Sequence, residues 1–138
     1  MSKKNIKWES KLTSHVQLFY DKIVSVKKSD LKGKEWKTIY KTIKKEGVNI
    51  FFIVDGQNDK VVEYNQVNQI QILLPHRNSP RLWWFIHRLR NAFSHLNIVE
   101  SNNYYYIKDE DVFKHGKTEL TMYGCVEQTK LINILNSI

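Results

Sequence analysis

The chain has 138 residues, 41% of them hydrophobic and 26% charged, with five glycines, two prolines, one cysteine and a net charge of +8. That is the size and make-up of one globular domain, and it excludes a disordered, collagenous or disulfide-stapled chain. The longest apolar runs, such as IFFIV at 50–54, are far short of the roughly 20 residues needed to cross a bilayer, so no membrane association is expected.

Leu12, Val16, Phe19, Ile23 and Val26 recur at three- and four-residue steps, which predicts an amphipathic helix from about Ser10 to Lys27. A second helix is expected to be capped by Asp30, to turn Trp36, Ile39, Tyr40 and Ile43 inward, and to stop at Gly47. Lysines line the outer face of both. Val48 to Val54 reads as a strand entering a turn at Asp55-Gly56, although its period also fits a buried helical turn. Tyr64 to Leu74, carrying Val67, Ile70, Ile72, Leu73 and Leu74, is expected to be a helix that ends before Pro75. Ser79-Pro80 offers a cap and a first-position proline for a helix running to about Asn97. Ile98 to Glu100, a turn at 101–103 and Tyr104 to Lys108 fit a hairpin; Thr118 to Tyr123 adds a strand and Cys125 to Leu135 a closing helix. With no repeat or linker, the whole chain, 1–138, is expected to be one mainly α-helical domain with a small antiparallel β element.

The charge is uneven. Residues 1–47 hold 13 Lys and no Arg against 5 acids, whereas 48–138 hold 9 basic and 9 acidic residues. Such a field attracts polyanions, of which nucleic acid is the commonest in the cytoplasm, although a solvated lysine face kept for solubility has the same composition. The basic start MSKKNIKWESK is followed by no apolar segment of a secretion signal, so a cytoplasmic location is expected. Cys125 has no second cysteine to pair with and reads as a small buried hydrophobe near the last helix.

All four arginines, Arg77, Arg81, Arg88 and Arg90, fall in one 14-residue window. In a chain that uses Lys elsewhere, Arg marks places where a planar fork is needed for phosphate or carboxylate. In the helix from Pro80, Leu82, Phe85, Ile86, Leu89, Ala92, Phe93 and Leu96 share one face, expected to be core. The opposite face carries Trp83, Trp84, His87, Arg88, Arg90, Asn91, Ser94 and His95. A Trp pair rimmed by Arg and His has the composition of an interface, so Trp83 and Trp84 are expected to dock a partner, a second copy included.

Within that helix Arg90-Asn91-Ala92-Phe93-Ser94-His95 resembles the RNxxxH motif of HEPN domains. The resemblance implies an up-down helical bundle, a homodimer joining two motifs, and a metal-independent endoribonuclease of toxin-antitoxin, antiphage or RNA-processing systems, with no cofactor. It implies that His95 transfers the proton, Arg90 holds the scissile phosphate and Asn91 orients one of them, and it admits an antitoxin or regulatory protein as a partner; His87, Arg88 and Ser94, on the same polar face, are expected to contact the RNA. Leu96 departs from the Gly that many members carry after the His.

The chemistry also fits the residues themselves: a His can move the 2′-hydroxyl proton near neutral pH, and an Arg fork can hold the phosphate oxygens. Two other readings share the sequence, a non-catalytic RNA-binding module and a protein-interaction module. His15 and His76 read as ordinary surface residues and His115 as a turn residue. No His, Cys or carboxylate set has metal-ligand spacing, so no metal site is expected, and the five scattered glycines build no phosphate loop.

Overall fold

The computed structural model describes residues 15–56, 60–63, 66–113 and 116–138. Strands β1 (Asn49–Val54), β2 (Gln69–Leu74), β3 (Ile98–Ser101), β4 (Tyr104–Val112) and β5 (Thr118–Glu127) form one sheet in the order β1-β2-β5-β4-β3. β1 and β2 run parallel and every other pair is antiparallel. Among the described residues four α-helices accompany the sheet: α1 (Val16–Phe19), which runs into a π-helical turn at Tyr20–Val24, α2 (Trp36–Lys45), α3 (Arg81–Ser94) and α4 (Gln128–Asn136). The domain is therefore α+β, and the expected up-down helical bundle is corrected to helices packed on a five-stranded mixed sheet.

The decisive segment is Gln69–Leu74, expected to be helical and found as the second strand from one edge. All six of its residues are buried. The polar-apolar alternation of Gln69-Ile70-Gln71-Ile72 has the period of a strand, whereas Val67, Ile70 and Leu74 also fit helical three- and four-residue steps, so the segment carries both patterns and packing decides between them. Of the rest of that expected helix, residues 64–65 lie outside the described residues, as do Leu12 and His115.

On the helix face of the sheet, Ile70 and Ile72 of β2, Tyr105 and Ile107 of β4, and Met122 and Val126 of β5 meet Phe19, Ile23, Ile39, Ile43, Phe85, Leu89, Leu131 and Ile134 in one core cluster. Trp36 of α2 joins the layers, its ring 5.2 Å from that of Phe52 and 5.9 Å from that of Phe85. Gly124 lets β2 and β5 close on this face, because a Cβ there would stand 2.9 Å from Ile70 Cγ1. On the opposite face Val61, Leu73 and Tyr123 form a smaller cluster. The β1–β2 connection is tied to that side, where the Gln71 amide accepts from Val62 N–H at 2.9 Å and donates to its carbonyl at 2.7 Å.

Several boundaries differ from expectation. Asp30 caps a short 3₁₀ turn at Lys28–Leu31 by accepting from Lys27 N–H at 2.8 Å, and α2 begins only at Trp36. Gly47, at φ 75, follows α2 as expected. Ser79 is not the cap of α3; its hydroxyl accepts from His76 N–H at 3.0 Å, and Pro80 holds the cap position. The 98–108 hairpin is present, with Ser101 opposite Tyr104. β5 runs on to Glu127, so Cys125 is buried in a strand and not at the start of the last helix.

α3 ends where the motif ends. Asn97 N–H bonds Ala92 O at 2.7 Å and Leu96 N–H bonds Phe93 O at 3.1 Å, the pattern that closes a helix through a left-handed residue. That residue is Leu96, at φ 59 and 60% exposed, which corrects its placement on the core face. A branched side chain in a conformation suited to glycine carries strain, so Leu96→Gly should stabilise the fold by about 1 kcal/mol, read as a raised urea midpoint at unchanged slope.

Candidate functional site

The polar side of α3 divides between two flanks. Helical spacing places Arg88 three residues after Phe85 and four before Ala92, at the margin of the core arc, and the side chain is buried at 6% exposure. It does not reach the surface as an RNA contact. Its Nε and Nη2 donate to Leu73 O at 3.3 and 3.2 Å, and its Cζ lies 4.7 Å from the centre of the Trp84 ring. Burial pulls its pKa down, partly opposed by Asp109, Asp111 and Asp55.

Next to Arg88 the sheet presents a carboxylate. Asp109 shares the strand phase of Tyr105 and Ile107, so its side chain enters the helix-sheet layer, where it is 1% exposed. A bulge makes room for it: Asp109 pairs with Met122 and Glu110 with Leu120, which leaves Thr121 as the extra residue. Thr121 Oγ1, fully buried, donates to Asp109 Oδ2 at 2.7 Å.

The other oxygen, Oδ1, is buried without a hydrogen-bond partner and lies 3.7 Å from His95 Nδ1. His95 itself is 62% exposed. Asn91 stands close enough to ease the Asp109 charge without completing that bond. Burial raises the Asp109 pKa, while Thr121, Arg88, His95 and Asn91 pull it back.

That balance has a sign. An acid whose folded pKa lies above its unfolded value binds more protons folded, so its contribution to stability falls as pH rises through the interval between them. Relative to Asp109→Asn, the wild type should therefore gain stability on acidification toward the ordinary value of 3.8, measured as the difference in urea midpoints from pH 7 to pH 4.

On the other flank Arg90 turns toward His87, its Nη2 donating to Nδ1 at 3.1 Å, while its Cζ sits 5.4 Å from the centre of the Trp83 ring. The motif's Arg and His are thus engaged separately, Arg90 with His87 and His95 with Asp109. Because Arg only donates, His87 Nδ1 is the acceptor in this state. Burial first, then Arg90 and Arg88, lower the His87 pKa, which keeps the ring neutral near pH 7. The His87 ring is 5.6 Å from that of Trp83 and 5.0 Å from that of Trp84. Both indoles are half-buried, and each has an arginine over its ring.

Asn91 lies between the two halves, its side-chain amide 3.5 Å from His87 Nε2 and near Asp109. Ser94 is exposed beside His95. Of the residues singled out from sequence, His87, Arg90, Asn91 and His95 share one ridge, Arg88 lies beneath it, and Trp83 and Trp84 stand at its N-terminal end.

Asp109 and Thr121 were not anticipated. The strand phase of Asp109 with Tyr105 and Ile107 was a usable sign, since an acid on a core face needs a reason, whereas nothing in the sequence marks a bulge at Thr121. Among the described residues no three His, Cys, Asp or Glu side chains converge as metal ligands, and no helix is long and apolar enough to cross a membrane. No family model matches the chain, and neither a curated protein nor a solved structure does.

Proposed function

We propose that the chain is a ribonuclease that works without a metal ion, using His95 as the proton-transfer group. The observation that carries this is the Asp109–His95 pair: a buried carboxylate oxygen that accepts no hydrogen bond, 3.7 Å from the Nδ1 of an imidazole that is 62% exposed. A carboxylate in that place favours the tautomer protonated at Nδ1 and leaves Nε2 to accept a proton from outside. The net charge of +8, concentrated in the lysine-rich first third, supports a polyanionic substrate. The RNxxxH likeness adds the same chemistry, but the sheet replaces the bundle that the HEPN resemblance implied, so the proposal rests on side chains.

In the step proposed, His95 Nε2 takes the proton of a 2′-hydroxyl as the 2′-oxygen bonds to phosphorus. The bond from phosphorus to the 5′-oxygen breaks, and that oxygen takes a proton from a protonated imidazole of a second copy of the chain, leaving a 2′,3′-cyclic phosphate and a free 5′-hydroxyl. Arg90 leaves His87 to hold the charged phosphate oxygens, for which an anion competes better than a neutral imidazole. His87 and His95 are two helical turns apart, about 12 Å of rise, too far to serve one phosphate together. A second copy of the chain supplies the other imidazole, which makes the active form a homodimer.

The test is cleavage of a mixed-sequence, end-labelled RNA in EDTA by the wild type, His95→Ala and Arg90→Ala, with oligomeric state measured by ultracentrifugation. Cleavage lost in both folded variants supports the proposal. Intact RNA with the wild type, or equal cleavage by the variants, overturns it and favours a module that binds RNA or protein.

A further inference from the structure

A groove of about 500 Å³ lies between the 3₁₀ turn at Lys28–Leu31 and the N-terminal end of α3. Its floor is apolar, made by Leu31, Leu82 and Trp83, and its rim is cationic, made by Lys28, Lys32 and Lys34. All three lysines are exposed, and no acidic side chain among the described residues lines the opening. The Trp83 indole ties the groove to the ridge already described, since the Arg90 guanidinium lies over the same ring at 5.4 Å and the His87 ring stands 5.6 Å from it.

We propose that this groove seats the base of an unpaired nucleotide in a single RNA strand. The base stacks on Trp83 against the apolar floor, Lys28, Lys32 and Lys34 hold the phosphates beside it, and the strand leaves along α3 toward Arg90. Three features select this occupant. An aromatic platform ringed by cations is the arrangement that holds single strands, because every base offers a flat face and every link a negative charge. The volume lies within the range of about 300–1,000 Å³ for pockets that enclose a small ligand. The lysines also give purpose to the uneven charge, since they belong to the stretch that holds 13 Lys and no Arg.

The inference rests on the reading of the ridge as a ribonuclease site and is tested apart from it by binding alone. The probe is a fluorescein-labelled 2′-O-methyl oligouridylate, which lacks the attacking hydroxyl, followed by anisotropy and by quenching of tryptophan fluorescence. Trp83→Ala and the triple variant Lys28→Ala/Lys32→Ala/Lys34→Ala should each weaken binding about tenfold or more, and the triple variant should also flatten the salt dependence by about two units of log-log slope. Trp83→Phe should bind nearly as the wild type but with weaker quenching, which separates a lost platform from a damaged fold.

Wild-type affinity in Trp83→Ala and in the lysine variant overturns the groove, even where cleavage still depends on His95. Equal affinity for an abasic strand of the same length also overturns it, because the lysines would then be binding phosphate alone. Specific quenching and binding without any cleavage would support the groove while removing the ribonuclease reading.

Discussion

Replacing His95 with alanine should lower RNA cleavage by about 10²–10⁴-fold, the usual weight of a positioned acid or base. The fold should be little affected, since His95 is 62% exposed, lies past the last helical residue of α3, and approaches Asp109 no closer than 3.7 Å. On the proposed mechanism Asp109→Asn should give a smaller loss in kcat with KM unchanged, because there Asp109 acts through His95 and not on the substrate. It is a positioning residue: an amide in its place offers an oxygen or an N–H to His95 Nδ1 and no longer selects one tautomer. A Ser in place of Thr121 should keep the hydroxyl that holds Asp109 Oδ2, and with it the activity. Equal kcat in the wild type and Asp109→Asn, at equal stability, would remove Asp109 from the mechanism.

The second large effect is on stability. Arg88→Ala should cost about 3 kcal/mol or more, measured by urea unfolding at pH 7. Two bonds to Leu73 O and the stacking on Trp84 disappear together, and Asp109 loses the cation that helps it remain charged in the interior. Leu73 sits in β2, packed into the small cluster on the far face of the sheet, so Arg88 ties α3 to the sheet across both layers. Adding Asp109→Asn to Arg88→Ala should recover part of the loss, because an uncharged partner no longer needs the guanidinium; additivity of the two changes would show that they do not interact. Arg88→Lys should recover little, since an ammonium cannot reproduce the fork on one carbonyl or the flat contact with Trp84.

The RNxxxH reading and the lysine count concern the surface, and there local pattern is informative. The periodicity of α3 identified Leu82, Phe85, Ile86, Leu89 and Ala92 as core, and all five are buried. Tyr104 to Tyr106 alternate as a strand must, with Tyr105 packed edge-on to Phe19 at 5.4 Å and Tyr106 opposite Val99. Asn102, at φ 55, marks the tight hairpin turn, since asparagine tolerates the left-handed region. These features depend on residues near one another in the chain.

Elements that need no distant partner were legible in the amino-acid order: α3 and most of its apolar face, the turns at Gly47 and Asp55-Gly56, the 98–108 hairpin and the shared ridge of His87, Arg90, Asn91 and His95. Tertiary packing made Gln69–Leu74 a strand, because Val67, Ile70 and Leu74 also fit a helical face and it is β1 and β5 that supply hydrogen bonds on both sides. It also decided the chemistry of the ridge. Arg88 and Asp109 are 21 positions apart in sequence, and their opposite charges are brought into one interior layer when α3 packs on β4, while the bulge at Thr121 turns a hydroxyl toward the carboxylate. Helix period predicts which way a side chain leaves its own backbone, but what it meets there is set by the packing of remote segments.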